Sequence, residues 1–235
     1  MLKIAIVAAV LTVPSFAQGW VNRSGLNGPA PRSGHAMGYD AAHGYTVLVG
    51  GYSYANGNTT TYDETWTWDG SNWTLRGPAP STNYTTALAY HGGSNSLLAF
   101  TATWNGALNL HALAWTGTAW STVGTVGSSS SPTAAAYDPI RQETVVYLTP
   151  DRVGIWNGTT LTSMTVLAPA VQLQLADDIS MAWDPVAGRI VLMGSQLVYG
   201  YVNGTWGFTG TYAPRMYEWT GLGWAHRQLT NPPAR

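Results

Sequence analysis

A Trp, one polar residue and a Gly recur along the chain in the copies Trp68-Asp69-Gly70, Trp115-Thr116-Gly117, Trp156-Asn157-Gly158 and Trp219-Thr220-Gly221. This recurrence constrains the fold more than any other feature, because self-similarity at a period of roughly 40–50 residues marks stacked supersecondary units. Successive copies lie 47, 41 and 63 residues apart. Each sits between short apolar or alternating stretches, and a second Trp follows in three of them (Trp73, Trp120, Trp224). The pattern predicts a hairpin with a tight Asp-Gly or Asn-Gly type turn, joining the third and fourth strands of a unit.

Upstream of each copy lies a stretch of small residues ending in an aromatic: Ser33 to Tyr39-Asp40, Thr85 to Tyr90-His91, Thr133 to Tyr137-Asp138 and Ile179 to Trp183-Asp184. A strongly apolar stretch comes next, at Tyr45–Gly51, Ser96–Thr101, Thr144–Thr149 and Ile190–Gly194. Its near-continuous hydrophobicity predicts strands buried on both faces. Each unit therefore reads as a four-strand meander that cannot hide its two faces alone. Stacked radially, such sheets cover one another, and flat indoles fill the wedge between them. Composition agrees, with 9% charged residues, 27 Gly, 12 Trp and 13 Tyr against 3 Phe, a mix poor in helix formers.

These residues resemble the kelch-repeat β-propellers, in the branch similar to the galactose oxidase central domain. The first repeat carries the likeness, through Pro31-Arg32-Ser33-Gly34-His35-Ala36, Val47-Leu48-Val49-Gly50-Gly51, Thr65-Trp66-Thr67-Trp68-Asp69-Gly70 and Trp73. In later repeats the glycine pair is replaced by Phe100-Thr101, Leu148-Thr149 and Gly194-Ser195, and Trp156 has no second Trp after it. The resemblance implies an all-β, kelch-like propeller over residues 18–235, with blades at 29–77, 78–127, 128–175 and 176–230. Residues 18–28, with Trp20 ahead of Gly28-Pro29-Ala30-Pro31, read as a lone outer strand, and residues 231–235 as the start of a further repeat. An incomplete ring in a C-terminally truncated copy is the expectation, with a compact four-blade ring as the alternative.

Residues 1–17 read as a secretory signal: Lys3, the apolar run Ile4–Val13, then Ser15-Phe16-Ala17. That run is about ten residues, against the roughly 20 that span a bilayer, so no membrane span is expected after cleavage. Six Asn-x-Ser/Thr sequons, at Asn22, Asn58, Asn72, Asn83, Asn157 and Asn203, matter only in a host that glycosylates exported chains. A net charge of −1 with scattered Lys and Arg gives no footprint for nucleic acid.

In a meander, the connections from strand one to two and three to four fall on one rim, and the others on the opposite rim. The second-to-third-strand connections, at 52–63, 102–109, near Pro150-Asp151 and at 195–214, vary in length and content, which makes theirs the candidate binding rim. Exposed aromatics among neutral polar residues suit stacking on sugar rings or gripping a peptide. The candidates are Tyr52, Tyr54, Trp104, Tyr201, Trp206 and Tyr212; the competing reading of 197–208 is an extra hairpin whose aromatics pack on its own sheet. Arg32 and His35, at the start of an innermost strand, become ligand contacts by the kelch resemblance.

The expected function is an exported noncatalytic binding or scaffold module for an extracellular glycan or protein, without a cofactor. The alternative is a carbohydrate-active or lyase-type propeller enzyme. The chain has no Cys, which removes the Cys–Tyr cofactor of galactose oxidase and any disulfide. His35, His43, His91, His111 and His226 show no zinc-like spacing. Asp40, Asp138 and Asp184, with His91 at the same place in the second repeat, recur at a turn and predict a structural role.

Overall fold

The computed structural model describes residues 27–80, 86–149, 151–166, 179–202 and 205–228, and within 196–213 the backbone alone. The signal segment, most of the lone strand at 18–28, and residues 231–235 lie outside the described residues. Among the described residues every regular element is a strand.

Sheet 1 contains β1 (Ala36–Asp40) and β2 (Tyr45–Val49); an inserted hairpin of β3 (Tyr52–Ala55) and β4 (Asn58–Thr61) follows, then β5 (Thr65–Trp68) and β6 (Trp73–Gly77) complete the sheet. Sheet 2 is β7 (Ala87–His91), β8 (Ser96–Trp104), β9 (Leu108–Trp115) and β10 (Trp120–Gly127). Sheet 3 is β11 (Ala134–Asp138), β12 (Glu143–Thr149), β13 (Arg152–Trp156) and β14 (Leu161–Thr165). Sheet 4 is β15 (Ser180–Asp184), β16 (Arg189–Val202), β17 (Thr205–Trp219) and β18 (Trp224–Arg227). All four are antiparallel meanders in chain order, as the repeat predicts.

The four Trp-x-Gly bends occupy equivalent places. Each joins strands three and four, with Trp68 opposite Trp73, Trp115 opposite Trp120, Trp156 opposite Leu161 and Trp219 opposite Trp224. The connection is four residues rather than a two-residue turn, closed by a backbone bond such as Thr116 N–H to Ala119 O at 2.9 Å. The polar middle residue caps it from inside. Asp69 Oδ1 accepts from the Ser71 and Asn72 amides, Asn157 Oδ1 from those of Thr159 and Thr160, and Thr220 Oγ1 from those of Leu222 and Gly223. The Gly follows in the left-handed region, at φ 91 to 99° in all four copies, where a β-carbon would be strained. Leu161 stands in for the Trp that the third repeat lacks, and it is buried.

The recurring acid closes the turn between strands one and two. Asp138 Oδ1 accepts from the Ile140 and Arg141 amides, and its other oxygen meets Arg141 Nη1 at 2.7 Å. Asp40 and Asp184 bond their own turns in the same way. His91, buried in the second copy, instead pairs Nδ1 with Thr144 Oγ1 of the next sheet at 3.0 Å, and burial lowers its pKa. Structural work accounts for this position throughout.

Successive sheets pack face to face with their first strands side by side, β1 on β7, β7 on β11 and β11 on β15. Alternate residues of each middle strand go to different cores. Leu97 joins Val47, Val49 and Trp115 between sheets 1 and 2. Leu98 and Phe100 join Val146, Leu148, Trp156 and Leu161 between sheets 2 and 3. Val145 and Tyr147 join Ile190, Leu192, Tyr217, Trp219 and Trp224 between sheets 3 and 4. Two-sided burial is the reason these strands read as continuous apolar runs. The small residues of the first strands, Ala87, Ala89, Ala134 and Ala136, let neighbouring sheets approach. Among the described residues no comparable packing joins β15 to β1, and no strand ladder links sheets 4 and 1.

Each joint repeats one contact. A side chain from the first turn of one sheet lies against the Trp-x-Gly glycine of the next: His43 at Gly117, His91 at Gly158 and Arg141 at Gly221. Arg141 also donates to Thr220 O at 2.9 Å. At the first joint, Trp115 Nε1 donates to Tyr45 Oη at 2.9 Å, and that hydroxyl donates to Gly117 O at 3.1 Å. At the third, Trp219 Nε1 reaches Glu143 Oε1 at 3.4 Å. At the second, the residue in the place of Tyr45 is Ser96, which bonds Ser94 O instead, and the buried Trp156 Nε1 has no partner among the described residues.

Candidate functional site

The rim of the second-to-third-strand connections is built from hairpins rather than loops. In sheet 1 the segment read as a loop at 52–63 is the β3–β4 hairpin, turned by Asn56 (φ 52°) and Gly57 (φ 81°). Two left-handed residues make a type I′ turn, and Asn-Gly is its strongest sequence signal. In sheet 2, β8 and β9 pair as far as Trp104 opposite Leu108. In sheet 4, β16 and β17 pair as far as Val202 opposite Thr205. Sheet 3 contributes a short connection between Thr149 and Arg152.

Two candidates stand well clear of the fold: Tyr54 is 71% exposed on β3 and Trp104 65% exposed at the end of β8. The support under Trp104 is polar. His111 bridges Thr103 Oγ1 at 2.8 Å and Thr125 Oγ1 at 2.9 Å, and Asn109 Nδ2 donates to Asn105 Oδ1 across the tip. Tyr52 is 46% exposed, but its ring lies against Gly34 and its backbone exchanges two 2.8 Å bonds with Ser33. His35 is exposed next to this bridge. For Tyr201, Trp206 and Tyr212, the backbone places the first two opposite each other and the third opposite Leu197 in the long hairpin; their side chains lie outside the described residues.

Arg32 is engaged by partners inside sheet 1. Its side chain is 3% exposed. Nε donates to Ala30 O, Nη1 to Gly50 O at 3.0 Å and Nη2 to Glu64 Oε2 at 2.8 Å, while the guanidinium lies 4.0 Å from the Tyr62 ring centre. The Trp66 indole N–H and the Arg32 guanidinium hold the Glu64 carboxyl below its ordinary range. The glycine pair belongs to the same device. Gly50 and Gly51 are both left-handed, and a β-carbon on Gly51 would sit 2.8 Å from Ser33 O and 3.1 Å from Arg32 Cδ. Later repeats lack both the Arg and the glycine pair because the two serve one contact.

Among known protein families and curated proteins, none matches the chain. A solved structure does resemble it. That structure is a structural genomics protein of unknown function from Bacteroides thetaiotaomicron VPI-5482, 12% identical, with a TM-score of 0.49 over 76% of this chain. The chain spans 44% of that protein's length, and so loose a likeness carries no functional argument.

The opposite rim holds a concavity that the sequence pattern did not single out. The aromatics that end successive first strands, Tyr90, Tyr137 and Trp183, line a hollow of about 310 Å³ with Pro139 and Met181. The signal for it was the shared repeat position of these rings. Between sheets 3 and 4, burial raises the pKa of the Tyr147 and Tyr217 phenols, and Tyr217 Oη has no hydrogen-bond partner among the described residues. Both are buried, so they belong to the core and not to a rim.

Proposed function

We propose that this chain is a kelch-like β-propeller module, exported by its N-terminal signal, that binds extracellular glycan or protein through the aromatic hairpins of its variable rim. One observation carries the reading: Tyr54 and Trp104, on hairpins of two neighbouring sheets, present rings to solvent beside hydroxyl and amide groups. A flat ring buries area against the apolar face of a sugar, and the neighbouring amides and hydroxyls supply hydrogen bonds. Their exposure has no packing purpose, since neither side chain fills a core. Asn105, Asn109, Thr103 and His111 around Trp104 are the polar complement such a contact needs.

A glycan array probed with the purified protein and with Trp104→Ala and Tyr54→Ala tests this. Binding that falls at least tenfold in each variant, with thermal unfolding unchanged, supports it. Array binding that survives both substitutions overturns the assignment to this rim. Binding to immobilised protein but to no glycan selects the protein ligand.

A further inference from the structure

The two ends of the open series differ from each other and match the two sides of an interior joint. At every interior joint, the Trp-bearing face of one sheet receives the small-residue face of the sheet before it. Among the described residues, only Gly28, against Trp73, lies near the Trp-bearing face of sheet 1: Met37 is 50% exposed and Tyr39 58%, and Met37, Thr46, Trp68, Gly70 and Trp73 line a hollow of about 430 Å³. No described residue lies within 4 Å of the open side of Gly70, whereas its equivalents lie against His43, His91 and Arg141. Sheet 4 leaves the opposite kind of face uncovered. Ser180 and Ala182 are exposed there, in the places where Ala134 and Ala136 are buried in sheet 3.

The charges at the two ends are complementary at one repeat position. The residue that opens strand two meets the next Trp-x-Gly hairpin at two joints: Tyr45 at Trp115 and Gly117, and Glu143 at Trp219, while Ser96 holds the same repeat position in sheet 2. The two members left over are Arg189 on sheet 4 and Asp69 on sheet 1, the single cation and the single carboxylate of their sets. Arg189 already pairs with Glu218 at 2.8 Å within its sheet, and Arg227 beside it pairs with the same Glu218 and with Asp184.

We propose that two copies of this chain associate head to tail, the open face of sheet 4 in each covering the open face of sheet 1 in the other. Arg189 of each copy then pairs with Asp69 of the other beneath the Trp68 turn. Two such joints close the assembly at eight sheets, within the usual range of roughly 4 to 8 for rings of this kind. The joint pairs unlike faces, so closure rather than fibre growth depends on its angle.

Sedimentation velocity of the purified chain, with Met37→Arg and Ala182→Arg as variants, tests this. Both positions are exposed in the single chain, so the variants retain its β circular dichroism. Wild type sediments as two chains, each variant alone as one, and a 1:1 mixture of the two recovers the dimer, since one of its two joints is then intact. A single-chain wild type overturns the proposal and leaves the faces to close within one chain or stay open. So does a dimer that one of the two variants dissociates and the other leaves intact, the sign of like faces pairing, or a mixture that stays monomeric while both variants are folded. Glycan binding by the rim is read separately and does not depend on this outcome.

Discussion

Trp68 and Trp219 sit in identical hairpins and have opposite surroundings. Their partners lie at a similar distance and in the same tilted arrangement, 5.3 Å and 44° for Trp68–Trp73 against 5.1 Å and 56° for Trp219–Trp224. Yet Trp219 is buried against sheet 3, and Trp68 lines an open hollow. The hairpin is therefore a local structure, set by the capping Asp, Asn or Thr and the left-handed Gly, while the value of its indole comes from the neighbouring sheet. An interior joint turns a marginal hairpin into core.

The comparison breaks first at the indoles themselves. Trp219→Ala should cost about 4 kcal/mol of unfolding free energy, in the range for truncating a buried aromatic, and Trp68→Ala roughly half that. Both are to be read from urea unfolding in the Met37→Arg background, which keeps sheet 1 uncovered. Equal costs would mean that the joint adds nothing.

The glycines sharpen it. Gly221→Ala meets two penalties, a left-handed φ of 91° and a new β-carbon 2.8 Å from Arg141 Nε. Gly70→Ala, at φ 99° with nothing within 4 Å, meets only the first. The expected costs are about 2 and about 1 kcal/mol in the same unfolding measurement.

Sheet 1 replaces part of the missing neighbour with its own Arg32 contact. Arg32→Met should destabilise by about 2 kcal/mol, because it strips Glu64 and Gly50 O of a donor, and Glu64→Gln by about 1 kcal/mol. The pH dependence has a definite sign. The folded-state pKa of Glu64 is lowered, so its contribution is present above the ordinary value of 4.5 and is lost as pH falls through the lowered one. Glu64→Gln should flatten the acid limb of a melting-temperature profile in that window. The smallest effect belongs to the rim, where Tyr54→Ala should change stability by less than about 0.5 kcal/mol.

The sequence made the repeated parts visible and hid the particular ones. Trp-x-Gly and the turn acids were legible because each does its work within four residues, through its own amides. The role of Arg32 was not, since Glu64 lies 32 residues away and only the fold brings the two together. The extra hairpin read at 197–208 as the competing reading is present in the backbone, and only its extent was hidden: Thr205–Tyr212 is rich in Gly and Thr, yet pairing continues the ladder of the apolar strands beneath it. Asn56-Gly57 was a legible hairpin signal inside a segment otherwise read as a loop. The open faces show as substitutions at repeat positions: Glu218 takes the place of Ile155, and Arg227 that of Met164, both set in a core in sheet 3.

A double-mutant cycle between Tyr45 and Trp115 probes the repeated joint most directly, because the two residues are 70 positions apart, in successive sheets, and share one hydrogen bond. Tyr45→Phe, Trp115→Phe and the double variant, compared by equilibrium unfolding, should show a coupling of about 1 kcal/mol. The same Tyr45→Phe combined with Trp68→Phe should be additive. Additivity at Tyr45 and Trp115 would contradict the account, since the hairpin of one sheet would then not be tied into the sheet before it.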